Sequence, residues 1–139
     1  MRRVLVDSSA FFALIAREDR HHKEAAALFT SADHEHWELV TTNATVFECH
    51  ALLLNRSRPG HQNAIAFLDL IDGDEYRVER VKGRDEKRTV QPVRAHQDKS
   101  YSLCDALSFA VMERLGLSDA IAFDEDFRSY GRFTTLQAE

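Results

Sequence analysis

The chain has 139 residues, 44% of them hydrophobic and 29% charged, with five glycines, two prolines and a formal net charge of −5. This length suits a single globular domain over 1–139, and the apolar content supplies a core, which excludes a mainly disordered chain; no internal repeat or low-complexity tract is visible. The negative balance argues against phosphate binding through bulk charge, unless several acids gather around divalent cations.

Arg2 and Arg3 before an apolar stretch imitate a secretory signal, but Asp7 splits that stretch, and a charge inside such a segment is costly to insert. No apolar run approaches the length of about 18 residues that spans a bilayer. The expectation is a soluble, cytoplasmic protein with no membrane partner. Cys49 and Cys104 sit in apolar runs without CxxC spacing, so they read as small buried hydrophobes in a reducing compartment.

Arg3 to Val6 is a β-branched run that stops at Asp7-Ser8-Ser9, the pattern of a buried strand followed by a helix start. Ala10 to Ala16 reads as a helix. Glu18 to Phe29 reads as a second, amphipathic one with Ala25, Ala26, Leu28 and Phe29 on one face. Glu38 to Thr42 is the second strand, and Asn43 is placed to cap a helix reaching about Asn55. Pro59-Gly60 opens a helix with Ile65, Phe67, Leu68 and Ile71 inward, and Tyr76 to Val81 alternates as a strand. Arg84 to His96 is charged and helical in pattern, with Pro92 expected to kink or shorten it. Ser102 begins a helix to Leu115 that ends at Gly116, Ala120 to Phe123 is the fourth strand and Phe133 to Leu136 the fifth. Strands alternating with helices imply an α/β fold, a three-layer α/β/α sandwich around a mostly parallel sheet of about five strands. In such sheets ligands sit beyond the carboxyl ends of the strands, at the point where strand order reverses.

Four acids stand out in that frame. Asp7 closes the first strand and Asp124 the fourth, although Asp is also a favoured cap and turn residue. Glu48 has Ala44, Thr45, Ala51 and Leu52 as its helical neighbours, so no base on its own face neutralises it. Asp105 has Tyr101, Ser102, Ser108 and Phe109; it also sits where a capping box with Ser102 would place an acid, which does not exclude metal binding. Two acids on strand ends and two on apolar helix faces need a positive partner, and a hard divalent cation is the simplest. Such an ion takes oxygen ligands, activates water and stabilises the leaving oxygen in phosphodiester cleavage. Crowded, partly desolvated carboxylates should also have raised pKa values when no metal is bound. No Gly-rich phosphate loop, GxSxG elbow or HExxH is present, which weakens the nucleotide hydrolase, serine hydrolase and zinc protease readings. His21, His22, His34 and His36 fall in polar segments and read as surface histidines, while His50, His61 and His96 lack partners for a zinc set.

VLVDSSAFFAL at Val4 to Leu14, TTNATVFECHALL at Thr41 to Leu53, YSLCDALSFAVM at Tyr101 to Met112 and AIAFDEDFRSYGRF at Ala120 to Phe133 together resemble the PIN-domain family, in particular its VapC-type toxins of bacteria and archaea. The resemblance spans nearly the whole chain. It implies a Mg²⁺- or Mn²⁺-dependent endoribonuclease that cuts structured RNA of the tRNA or rRNA class and is held inactive by a cognate antitoxin. Asp7, Glu48, Asp105 and Asp124 match the family's acidic quartet, Ser8 its small hydroxyl residue after the first acid, and Asp126 is implied as an outer-sphere helper. Asp124 takes the fourth place because Phe127 follows three residues later. Ala122 stands where a hydroxyl or amide residue is common. The alternative is a PIN-like RNA-binding or protein-interaction module without turnover. Arg17, Arg56, Arg58, Lys99 and Arg128 are candidate phosphate contacts. A homodimer is expected from the resemblance and from apolar residues around Phe11, Phe12, Ala25 and Phe67.

Overall fold

Five parallel strands in the order β3-β2-β1-β4-β5 carry the fold, as seen in a computed structural model that describes residues 1–95 and 102–138. They are β1 (Arg3–Val6), β2 (Glu38–Thr42), β3 (Tyr76–Glu79), β4 (Asp119–Ile121) and β5 (Thr134–Thr135). Leu5, in the central strand, pairs with Val40 on one side and Ala120 on the other. A strand covered on both faces is apolar at every position, and β1 shows why its sequence does not alternate. Val4 and Val6 enter one core cluster with Phe11, Leu53 and Phe67, while Leu5 enters a second with Val40, Phe109, Met112 and Phe127.

The first cluster is covered by α1 (Ser8–Ile15), α2 (His22–His34), α3 (Asn43–Arg56) and α4 (Gly60–Asp72). The second is covered by α6 (Leu103–Leu115) and α7 (Glu125–Ser129), with α5 (Gly83–Ala95) packed on α6. The expected three layers are present. Arg114 on α6 joins that layer to the sheet edge: its guanidinium meets Glu79 of β3 at 2.9 Å and Asp85 of α5 at 2.9 Å. Gly116 ends α6 at φ +70°, a left-handed position that glycine adopts without a Cβ penalty.

Several local expectations differ from the structure. α2 begins at His22, because Asp19 bends the chain first: its carboxylate accepts the His21 backbone N–H at 2.9 Å and its own N–H reaches Ala16 O at 3.0 Å. Thr42 caps α3 by accepting the Thr45 N–H at 3.0 Å, and Asn43 instead accepts the Val81 N–H at 2.9 Å. On α4 only Ala64 and Phe67 are buried, and Ile65 and Leu68 face outward. α5 continues past Pro92 to Ala95, so the proline does not shorten it there. Phe11, Ala25 and Phe67 are fully buried in the core and Phe12 is half-buried. Three of the four residues invoked for a dimer surface therefore pack inside the protomer.

From β1 the chain steps outward through β2 and β3, then returns to place β4 and β5 on the other side of β1. Strand order thus reverses between β1 and β4. The Asp7 N–H donates to Ile121 O at 3.0 Å and fixes the two carboxyl ends side by side.

Candidate active site

A cleft of about 470 Å³ opens at this reversal. Two other concavities, of about 590 and 660 Å³, are larger, but neither gathers the acids singled out in the sequence. Ser8, Glu48, Asp105, Asp124 and Asp126 all line the cleft, and Asp7 is buried at its base with 1% of its surface exposed. The fold therefore brings together every acid expected at the site.

Each carboxylate is held by its own local turn. Asp7 caps α1: Oδ2 accepts the Ser9 backbone N–H at 3.2 Å and the Ser9 hydroxyl at 2.6 Å. Its Oδ1 is buried with no hydrogen-bond partner. Asp124 caps α7, its Oδ1 accepting the Asp126 N–H at 2.9 Å. Asp105 completes a capping box, with Oδ2 accepting the Ser102 N–H at 3.2 Å while Ser102 Oγ accepts the Asp105 N–H at 3.0 Å. The capping and site readings of Asp105 are thus both realised in one side chain. Glu48, half-buried on α3, accepts the Ser8 hydroxyl at 2.6 Å through Oε1, which supplies the partner its own helix lacks.

Asp7 and Asp105 are raised as expected of crowded, desolvated acids, with burial the larger cause. Burial pushes Asp7 up to about 6; the Ser9 hydrogen bonds oppose the rise and the charges of Glu48 and Asp124 add to it. Burial likewise pushes Asp105 up to about 7, followed by the charge of Asp7 and then that of Asp124, against the Ser102 hydrogen bonds. The nearby Cys49 and Cys104 thiols are raised by burial and by these same acids, so neither is a thiolate at neutral pH.

Among the described residues, no three His, Cys, Asp or Glu side chains converge closely enough to enclose an ion. A magnesium-type ion does not need such enclosure, since one or two carboxylates, waters and substrate phosphates suffice. The donor set is suited to it: hard oxygens only, two of them on acids whose negative charge is disfavoured, and one buried oxygen without a donor.

Other expectations resolve residue by residue. Arg56 lines the cleft; Arg17 and Arg58 are exposed elsewhere, Arg128 is half-buried outside it, and Lys99 and His96 lie outside the described residues. Sequence reasoning missed Ser9, whose hydroxyl also accepts the Phe123 N–H at 2.9 Å and so ties Asp7 to the end of the fourth strand. The paired serine after Asp7 was the available signal. It also missed His21, which stacks on Phe123 with ring centroids 4.7 Å apart at 6° and lines the cleft with Arg20. Nothing in the polar segment around His21 indicates that contact.

The PIN domain family model matches residues 4–132. The chain is 35% identical over 128 residues to the 23S rRNA-specific endonuclease VapC20 of Mycobacterium tuberculosis, covering 92% of this chain and 94% of that protein. The crystal structure of M. tuberculosis VapC20, described as a sarcin-ricin loop cleaving toxin, superposes with a TM-score of 0.86 at 34% identity, over 96% of this chain and 98% of the other. VapBC2 from Rickettsia felis, solved bound to a promoter DNA fragment, matches in fold with a TM-score of 0.70 at 7% identity, covering 96% and 97%.

Proposed function

Because the chain belongs to the PIN domain family, we propose that it is a metal-dependent endoribonuclease acting on structured RNA, the toxin of a toxin–antitoxin pair. The observation that carries this reading is the meeting of Asp7, Glu48, Asp105 and Asp124 at the strand-order reversal, with Asp7 Oδ1 buried and unpartnered. The likeness to VapC20 makes ribosomal RNA, and the sarcin-ricin loop first, the substrate to test.

In this reading Asp7, Glu48, Asp105 and Asp124 hold Mg²⁺ or Mn²⁺, and Asp126 acts from the outer sphere. When bound, the ion supplies charge to acidify a water and to stabilise the leaving oxygen. The chain's own residues provide orientation. Ser9 fixes Asp7, Ser102 fixes Asp105 and Ser8 fixes Glu48, so the carboxylates that would hold the ion are oriented in advance. One of these carboxylates orients the attacking water, whose oxygen bonds to phosphorus as the ester bond to the leaving oxygen breaks.

The partners in this reading are a cognate antitoxin and a second copy of the chain. Phe47 and Leu54 on α3 are 67% and 42% exposed, and with Ile65 and Leu68 of α4 they supply the apolar surface that the buried Phe11 and Phe67 do not. No helix among the described residues is long and apolar enough to cross a membrane, and action in the cytoplasm follows from the proposed substrate.

Incubation of purified protein with total RNA and Mg²⁺ or Mn²⁺, with a chelator control, tests the reading. Discrete metal-dependent fragments are expected; RNA binding with no fragments in either metal favours the module without turnover.

A further inference from the structure

Beside the carboxylates, the wall of the cleft carries cations and flat rings. Arg20, His21, Phe123 and Arg56 all line it. The His21 imidazole lies on the Phe123 ring at 4.7 Å and 6°, and Phe123 is itself buried and anchored through its N–H to Ser9. The main chain of His21 is held by the Asp19 carboxylate, which accepts its backbone N–H at 2.9 Å. Arg20 Nε donates to His21 Nε2 at 3.1 Å, so the guanidinium rests against the edge of the ring. Arg20 and Arg56 are exposed, and neither forms an ion pair among the described residues.

A rigid ring backed by a buried ring has one face left for another planar group, and His21 is partly exposed. The platform sits one residue from Asp124 in sequence, and through Ser9 it shares a hydrogen-bond network with Asp7. Planar stacking surfaces flanked by cations suit a nucleotide: the base takes the ring face and the phosphates take the guanidinium groups. An acidic cleft also needs such cations to admit a polyanion.

Building on the ribonuclease reading, we propose that the His21–Phe123 stack, with Arg20 and Arg56, is a nucleotide-binding subsite that holds the RNA nucleotide next to the scissile phosphate. The base stacks on His21, and Arg20 and Arg56 hold its flanking phosphates. Stacking accepts any base, so this subsite contributes affinity and placement, with the choice of cleavage position left to RNA shape.

The test compares wild type with His21→Ala, His21→Phe and Arg20→Ala in two assays. One is steady-state cleavage of an RNA hairpin carrying the mapped cut site, in Mn²⁺; the other is binding of the same labelled RNA in chelator, read by fluorescence anisotropy. His21→Ala is expected to raise KM and the metal-free Kd about tenfold while kcat stays within about twofold. His21→Phe, which keeps a flat ring but not the Arg20 hydrogen bond, is expected to restore both to within about threefold of wild type. Arg20→Ala should weaken binding and lower the slope of log Kd against log salt by about one phosphate contact. Unchanged KM and Kd in a folded His21→Ala protein, or a loss that His21→Phe does not restore, overturns the subsite. If His21→Ala melts well below wild type, the exposed Arg20 decides alone, and wild-type binding by Arg20→Ala overturns the proposal. Absence of cleavage by wild type would sink the ribonuclease reading instead. In that case the chelator arm judges the subsite independently, using a hairpin of the sarcin-ricin type as the probe.

Discussion

The Ser8 hydroxyl donates to Glu48 Oε1 across 2.6 Å, joining the first turn of α1 to the middle of α3. Ser8 is 6% exposed and the two residues are 40 positions apart in the chain. The bond therefore orients a half-buried acid that no residue of its own helix neutralises.

Ser8→Ala removes that donor and leaves Glu48 free to rotate. A hydrogen bond to a charged group contributes roughly 1.5–3 kcal/mol, so RNA cleavage is expected to fall about tenfold or more, the loss appearing in kcat. Thermal melting should fall by no more than a few degrees, because Glu48 can turn toward water in the cleft and recover part of that energy. A wild-type cleavage rate in Ser8→Ala would show that Glu48 needs no orientation.

Asp105→Asn tests the crowding of charge. In metal-free protein Asp105 is pushed up to about 7 and Asp7 to about 6 from an ordinary 3.8. The native state then binds more protons than the unfolded chain between about pH 4 and pH 7, so stability falls as pH rises through that window. The Asp105 shift already includes the opposing pull of the Ser102 hydrogen bonds. A neutral isostere that keeps an oxygen for the Ser102 N–H should therefore stabilise the metal-free protein at pH 7, raising Tm by about 3 °C or more. Added Mn²⁺ should raise the Tm of wild type more than that of the variant. Calorimetry in chelator and in metal checks both. A lower Tm with a wild-type metal shift would make Asp105 chiefly a cap.

The layout of the sheet and its helices follows from patterns visible along the chain. β1 and β2 occupy the expected residues, and α6 lies between its caps Ser102 and Gly116 as those signals require. The four acids were legible because each contradicts its surroundings, an acid on an apolar face or at the end of a buried strand. What was not legible depends on contacts distant in sequence. The His21–Phe123 stack joins positions about a hundred residues apart. Asn43 serves Val81 instead of its own helix because β3 ends nearby. The outward Ile65 and Leu68 show that periodicity marks an apolar helix without saying which of its residues the neighbouring helix covers.

Arg114 is the structural counterpart to the site. Its side chain is 10% exposed and meets Asp85, 1% exposed, and Glu79, 13% exposed. Burial works against the Asp85 charge, but the Arg114 hydrogen bonds prevail and hold it below the usual carboxylate range; Glu79 is lowered first by its own hydrogen bond to Arg114. Arg114→Met strands the buried Asp85, while Glu79 keeps its ion pair to Arg77 at 3.0 Å, and the loss should cost about 3 kcal/mol. Urea denaturation at pH 7 checks this, and the penalty should shrink as pH falls and the stranded acid takes up a proton.

Asp126 lines the cleft, and its backbone N–H donates to the capping carboxylate of Asp124. Asp126→Asn leaves that N–H in place, so partial cleavage, within about tenfold to a hundredfold of wild type, is expected of an outer-sphere group. Complete loss in a folded Asp126→Asn protein would make it a direct ligand.

The most direct test of the account is the rate of RNA cleavage by Asp7→Asn in saturating Mn²⁺, measured beside wild type under single-turnover conditions. Asparagine keeps the size of Asp7 and an oxygen to accept the Ser9 bonds, but lacks the charge that the buried, unpartnered oxygen brings to the site. The account expects a folded protein whose cleavage is reduced by at least about a hundredfold, since losing even an outer-shell group at a metal site costs ten- to a hundredfold. Cleavage by folded Asp7→Asn at the wild-type rate would contradict it.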